Sequence, residues 1–408
     1  MTAKRSRANG EGSIFPYRNG YAAYVWVTTP NGLRDRKWVY GKTREIVHDK
    51  WLKLHNAAKA GPVATSTPTL AQYLNQWLDE IIKPNSAPLT FDTYAMFIRL
   101  YLTRRLGSKR IDRIQTRDLQ TWINTLATTC QCCAQGKDQR RPPEKQRCCA
   151  LGECCHDVLS ARSLANVRDC IRSALSHACD IDQLISRNPA TLVKLPRVRR
   201  RRRGHSWTSD EARAFLESAR LGNDPLYAAF VLILVLGLRR GEVLGLEWSD
   251  LDFERAELSI NRQLQRVRGT LYVRDTKTET SEAALPVPEI CITALRLRKA
   301  AQAAARLAAG EAWQDFNFIF TTRYGTPIEP RNFNRYFHAR CDKAGVRRIR
   351  VHDARHTCAT LLADLEVHPR IAMAILRHAQ IAITMEIYTE ASSPATRAAL
   401  KRLGDSLQ

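Results

Sequence analysis

The sequence predicts a multidomain, mainly α-helical protein. A small three-stranded sheet plus one helix stands at the N-terminus, an all-helical domain follows, and a mainly helical domain with a small β-sheet completes the chain. Three observations predict this. Short aromatic and β-branched stretches separated by Asn-Gly pairs fill the first 40 or so residues, apolar residues recur at helical spacing from Leu70 onward, and the run Arg199 to Arg203 divides the helical part in two. With 408 residues, 44% of them hydrophobic, the chain can support two or three domains, each with its own core.

Residues 1–62 read as strands at Ser13 to Tyr17, Tyr21 to Thr29 and Arg34 to Tyr40, with turns at Asn19-Gly20 and Asn31-Gly32, and then a helix from Lys42 to Lys59. Such a unit can present Arg34, Arg36 and Lys37 to a DNA groove; a solvated sheet face is the plain alternative. After a loop rich in Pro, Thr and Ser, the domain 67–196 carries helical patterns at Leu70 to Ile81, Thr90 to Leu106, Thr116 to Leu126 and Ser163 to Asp182. Residues 197–205 hold the like charges Arg199, Arg200, Arg201, Arg202 and Arg203, a basic linker suited to lie along phosphates or else a solvated hinge. In the domain 206–408, helices are expected at Ser209 to Arg220, Pro225 to Gly237 and near Ala300 to Ala309. Strands are expected around Leu258 to Leu264, Leu271 to Asp275 and Ala283 to Val287. A tail helix from Ser392 to Gln408 aligns Leu400, Leu403 and Leu407.

The charge balance narrows the function. Lys and Arg number 64 against 40 Asp and Glu, a net +24, so a polyanion is the expected partner. The basic residues are spread through the chain among aromatics instead of lining one amphipathic helix, which favours nucleic acid over a membrane. The longest apolar run, Leu226 to Leu238, is too short to span a bilayer and ends in Arg239 and Arg240. The opening MTAKRSRANG lacks the apolar core of a signal peptide, so the chain is expected in the cytoplasm with its twelve cysteines mostly reduced.

Seven of those cysteines, followed by His156, crowd an insertion at 130–156 in the helical domain. Cys130-x-x-Cys133 and Cys149-x4-Cys154 have the spacing of a tetrahedral structural zinc site, with free thiols or disulfides as the alternative. Spacing alone does not choose the four ligands, and the surplus leaves room for a second metal. Lys137, Arg140 and Arg141 in the same excursion suit either a DNA contact or a solvated loop.

Cutting DNA without a hydrolytic metal needs a nucleophile, positive charge to stabilise a five-coordinate phosphate, and an acid for the leaving oxygen. Each role has a candidate in the last third of the chain. Arg239 closes the apolar helix in GLRRGEVLGLEW, with Glu242 three residues on to brace its guanidinium. Lys277 follows in TKTETSEAALPVP, His352 and Arg355 in HDARHT, His378 in LRHAQIAITMEIYTE, and finally Tyr388. Singly, each has an ordinary reading: a helix cap, a solvated hairpin lysine, core histidines, a packing aromatic.

In this order, with the final His ten residues before the Tyr, the six residues resemble the active-site set of the tyrosine recombinase (phage integrase) family. The resemblance covers about 206 to 390 and, more loosely, the three-part layout. It implies an integrase of a mobile element that cuts and rejoins DNA through a 3′-phosphotyrosine on Tyr388, with no cofactor for catalysis. Arg239 and Arg355 would hold the phosphate oxygens, His352 would assist proton removal, His378 would hydrogen-bond the phosphate, and Lys277 would protonate the 5′ oxygen. The N-terminal sheet would bind arm-type sites and the helical domain would clamp the core site. Implied partners are double-stranded DNA attachment sites, a homotetramer on DNA joined through the tail, and an excisionase or DNA-bending factor. One residue departs from the family pattern: Arg377 stands where Gly usually precedes the last His, which is expected to alter the local turn. A type IB topoisomerase-like nicking-closing enzyme is opposed by the separate arm-binding sheet, and a catalytically silent DNA-binding regulator by the retention of all six side-chain types.

Overall fold

The computed structural model describes residues 14–29, 32–61, 63, 65, 67–196, 206–275, 284–377, 381, 384 and 385. The chain divides into two compact units, Met1–Arg200 and Arg201–Gln408. The basic run Arg199 to Arg203 and the tail from Ser392 lie outside the described residues.

The first unit opens with an antiparallel sheet of β1 (Phe15–Tyr17), β2 (Gly20–Thr28) and β3 (Arg34–Gly41), in that order. The first turn sits one residue earlier than the sequence predicts: Tyr17 pairs with Gly20, leaving Arg18 and Asn19 as the turn, with Arg18 at φ 51°. Gly20 belongs to the strand, and the reason for glycine is steric. A Cβ there would lie 2.4 Å from the Gly41 carbonyl oxygen. Strand alternation sends Ala23, Val25 and Val27 into a small core with Val47 and Trp51 of α1 (Arg44–Ala60). The opposite face carries exposed Tyr17, Trp26, Trp38 and Tyr40.

The helical part of this unit starts at α2 (Leu70–Trp77), whose N-terminus is closed by a capping box between Thr69 and Gln72. A π-helical turn at Leu78–Ile82 prolongs it, and another at Ile98–Leu102 follows α3 (Pro88–Phe97). Then come α4 (Thr116–Thr128), the short α5 (Gln131–Gln135) in the Cys-rich insertion, and α6 (Ala161–Asp180). Leu74, Trp77, Leu102, Leu119, Ile123 and Ile171 are among the residues of one continuous core. Trp122 reaches that core with a partnered indole, its N–H donating to the Tyr101 carbonyl at 3.2 Å.

The second unit begins with α7 (Ser209–Leu221), capped by Thr208 and Glu211, and α8 (Tyr227–Val235). Because α8 is apolar all round it can only be a central helix, and Ala228 to Leu234 are all buried. Further helices among the described residues are α9 (Arg240–Gly245), α10 (Glu289–Ala309), α11 (Pro330–Lys343), α12 (Val351–Asp364) and α13 (Pro369–Leu376). Around α8, the rings of Trp207, Phe215, Phe230, Phe333 and Phe337 interlock at centroid distances from 4.8 to 5.9 Å. The chain leaves α8 after Val235, and the candidate site begins there.

The expected β-excursion is split into two sheets. β4 (Leu251–Asp252), β5 (Glu257–Leu258) and β8 (Leu285–Pro286) form one, while β6 (Arg262–Val267) and β7 (Thr270–Asp275) form a separate hairpin. The single strand expected from Leu258 to Leu264 breaks where Ile260 is drawn fully into the core and Arg262 pairs with Glu247 and Asp250. Among the described residues, no helix is long and apolar enough to cross a membrane.

Candidate active site

Two residues after α8 the backbone must turn sharply, and Gly237 does so at φ +60°. A Cβ at this position would stand 2.5 Å from Leu376 Cδ2, so glycine is required by conformation and by space. The Gly237 carbonyl accepts a hydrogen bond from the Arg355 guanidinium, and the Leu376 carbonyl accepts a second one. Arg355 is 3% exposed and points from α12 into this carbonyl cradle. Burial draws its pKa down, Arg239 and Arg377 add to that effect, and Glu242 opposes it. A guanidinium nonetheless stays charged at neutral pH.

Arg239 does not close α8, as the sequence suggests; it caps the N-terminus of the next helix, α9. Its backbone N–H donates to Glu242 Oε2 at 2.8 Å and its guanidinium to Oε1 at 2.6 Å. Glu242 is therefore the brace that the spacing indicates, acting as a cap acceptor and an ion-pair partner together. It is also nearly inaccessible, at 3% exposure. Burial by itself would push its carboxyl up, but the charges of Arg377 and Arg239 outweigh that and hold it below the ordinary carboxylate range.

Arg377 is the residue whose importance the sequence understates. It adopts the left-handed conformation at φ 51° that a glycine would take after α13, so the turn is kept, not altered. What changes is the site. Its Nη2 donates to Glu242 Oε2 at 2.6 Å, with both side chains essentially inaccessible, and its Nε has no partner among the described residues. Three guanidiniums, from Arg239, Arg355 and Arg377, thus surround one carboxylate. The excess positive charge suits a phosphodiester anion.

His352 and His356 lie on the same face of α12 as Arg355, and the two imidazoles meet edge to face at 4.9 Å. Partial burial lowers the His352 pKa, and the neighbouring His356 and Arg355 lower it further. Arg239 and His352 open onto one cleft of about 360 Å³, which Arg240, Asn334, His338 and Arg350 also line. Arg240 donates to Asn334 Oδ1 at 3.0 Å, and Arg350 grips Asp353 with two hydrogen bonds of 2.8 and 2.6 Å. Arg240, Arg350 and His338 were not singled out from the sequence, although the adjacent pairs Arg239-Arg240 and Arg347-Arg348 mark basic surroundings.

The structure therefore brings together Arg239, His352 and Arg355 from α9 and α12. Lys277, His378 and Tyr388 lie outside the described residues, as do Arg199 to Arg203. In the N-terminal sheet, Arg34 and Arg36 share the aromatic face: Arg36 stacks over Trp26 at 4.5 Å and Tyr24 at 5.1 Å, and Arg34 over Trp26 at 5.4 Å. Lys37 is separated from them, since alternation turns it to the other face opposite Val25, where burial lowers its pKa. In the insertion, the sulfurs of Cys130, Cys133, Cys149 and Cys154 all lie within 4.8 Å of one another, a donor set suited to tetrahedral zinc.

If Glu242 holds the guanidiniums in place, Glu242→Gln should destabilise the protein by about 3–5 kcal/mol, because it leaves buried cations without a counter-charge. Arg377→Gly should cost less, since Arg239 still pairs with the carboxylate and the left-handed turn is relieved of a side chain. Since the folded carboxyl is depressed, its contribution should be complete above the unfolded value of about 4 and fade as pH falls through the lower folded value. Thermal unfolding of the two variants at pH 7 checks the ranking; a melting temperature for Glu242→Gln equal to the parent's contradicts it.

Comparison with known proteins agrees with this geometry. Residues 206–394 match the phage integrase family, and residues 69–127 match the phage integrase N-terminal SAM-like domain. A tyrosine recombinase XerC-like protein of Caldanaerobacter subterraneus subsp. tengcongensis is 26% identical, over 92% of this chain and 93% of its own length. An integrase of Saccharopolyspora erythraea is 24% identical, over 92% of each. The fold resembles that of the Tn1549 transposon integrase in complex with transposon right end DNA, at a TM-score of 0.63 and 22% identity, covering 82% of this chain and 99% of that one. It also resembles a lambda integrase tetramer bound to a Holliday junction, at a TM-score of 0.51 and 16% identity, covering 94% and 96%. By fold, by the residues gathered at Glu242 and by both matched regions, the chain belongs to the phage integrase family of tyrosine recombinases.

Proposed function

We propose that this chain is the integrase of a mobile element, cutting and rejoining double-stranded DNA at specific sites through a tyrosine-linked intermediate. The observation that carries the reading is the convergence of Arg239, Arg355 and His352 on one cationic site braced by the buried carboxylate of Glu242, in a chain of this family. Arg239 and Arg355 bind the two non-bridging oxygens of the scissile phosphate, and their attraction grows as charge builds in the five-coordinate transition state. Tyr388 attacks the phosphorus. The bond to its phenolic oxygen forms as the bond to the 5′ oxygen breaks, so the phosphodiester energy is kept for rejoining. His352 accepts the phenolic proton, His378 hydrogen-bonds the phosphate, and Lys277 protonates the departing 5′ oxygen.

The other parts follow from the same reading. Arg34 and Arg36, braced on aromatic rings, contact an arm-type DNA site. The helical domain clamps the core site, and Arg199 to Arg203 track phosphates between domains. Four protomers assemble on DNA through the tail from Ser392, with an excisionase or bending factor setting direction. The insertion holds structural zinc, with Cys130, Cys133, Cys149 and Cys154 as one set of ligands. A reducing cytoplasm, where the DNA lies, keeps those thiols available.

Tyr388→Phe should bind attachment-site DNA as the parent does and form no covalent complex on a nicked suicide substrate. Denaturing electrophoresis checks this, and a trapped complex with the variant requires another nucleophile. The His352 shift gives a pH prediction. A depressed pKa keeps the imidazole neutral to lower pH, so the second-order rate of complex formation should hold down to the ordinary value of 6.5 and fall only below it. An acid limb centred above about pH 7 would contradict that role.

A further inference from the structure

We infer that the Cys-rich insertion is a dinuclear zinc-thiolate cluster in which Cys149 bridges the two ions. The inference rests on the reading that these thiolates hold zinc, and it extends that reading from one ion to two. The sulfurs fall into two sets of four, each mutually within 4.8 Å: Cys130, Cys133, Cys149 and Cys154, and Cys132, Cys148, Cys149 and Cys155. Cys149 belongs to both, and the two sets together use every cysteine of the insertion. Two tetrahedra sharing one vertex need seven ligands, and seven are present.

Most of the sulfur spacings within the two sets agree with tetrahedral zinc. A Zn–S bond of about 2.3 Å gives a tetrahedron with sulfur-to-sulfur edges of roughly 3.8 Å. In the first set, Cys130 and Cys149 are 3.9 Å apart, and Cys133 and Cys154 are 3.7 Å apart. In the second, Cys132 and Cys148 are separated by 3.8 Å, as are Cys149 and Cys155. Cys133 and Cys149 stand closer, at 3.0 Å. Every one of these thiols is free, and all the spacings far exceed a disulfide bond of about 2.05 Å. An iron–sulfur cluster fits less well, because cysteines on different irons are spread apart by the bridging sulfides. A set of four packed within 4.8 Å belongs around one ion.

The surroundings explain why two ions are needed here. No described residue from 128 to 158 joins any of the apolar cores, so the excursion has no hydrophobic support of its own. Its loops are tied by polar contacts. Asp138, fully buried, accepts the backbone N–H groups of Cys148 at 2.9 Å, Ala150 at 3.1 Å and Arg147 at 3.2 Å, and pairs with Arg141 at 2.7 Å. That carboxylate sets the loop that carries Cys148 and Cys149, the ligands of the second ion and the bridge. Two Zn(II) ions on seven thiolates form an anionic cluster, and the cation Arg147 is the chain neighbour of the ligand Cys148. The Nδ1 of His156, 3.9 Å from Cys154 Sγ, is placed beside a ligand sulfur, not in either set of four.

Full-length protein purified with a thiol reductant and without chelator should contain two zinc ions per chain by elemental analysis. Cys132→Ser should retain one ion and Cys154→Ser should retain one. Cys149→Ser should lose more than either, and Cys170→Ser, outside the cluster, should retain two. In a Co(II) titration, the electron paramagnetic resonance signal should rise with the first equivalent and fall with the second, because a bridging sulfur couples the two spins. One zinc per chain, unchanged in Cys132→Ser, overturns the dinuclear cluster and leaves the single site standing. No zinc at all overturns both, and neither result bears on cleavage by Tyr388.

Discussion

The catalytic unit depends on the carboxylate of Glu242. Removing a charged side chain from water is costly, and the buried guanidiniums of Arg355 and Arg377, with the half-exposed Arg239 beside them, would repel one another without a counter-charge. Glu242 accepts from Arg239 and Arg377, and it caps α9 through the Arg239 backbone. Arg355, beside them, is held by the carbonyls of Gly237 and Leu376. Neutralisation is incomplete, and the remaining positive charge defines what the site can bind. A hydrophobic isostere at 242 would pack, but it would leave the arginines free to swing toward water.

Placement of these charges follows from the fold. The left-handed turn at Gly237, just past α8, directs its carbonyl to Arg355 of α12. The one-turn spacing along α12 then presents His352 and Arg355 on one side. Such rigid placement matters because donors aimed in advance at a developing charge need no reorganisation when the reaction occurs. His352 fits beside them because burial first, and then His356 and Arg355, lower its affinity for a proton.

Much of this was legible in the sequence. The order of Arg239, His352 and Arg355 identifies the site because the chemistry needs those side-chain types, and the three-residue step from Arg239 to Glu242 indicates the brace. Arg377 was legible only as a departure from pattern, since nothing local reveals that an arginine in a left-handed turn will reach a carboxylate 135 positions earlier in the chain. Lys37 was grouped with Arg34 and Arg36 by proximity in sequence, whereas the period of two on a strand separates them. The break at Ile260 was hidden because a β-branched residue suits a continuous strand as well as a core position. In the insertion the spacing indicates thiolate chemistry, but only the three-dimensional arrangement assigns Cys149 to two sets of sulfurs.

On the proposed mechanism, this cationic cluster serves attack by one phenol on phosphorus. Trapping the parent enzyme on a suicide substrate, digesting the complex and locating the nucleotide adduct by mass spectrometry tests it most directly. The expected product is a phosphodiester on the peptide containing Tyr388, attached through the phenolic oxygen. An adduct on any other residue, or cleaved DNA without a protein adduct, contradicts it.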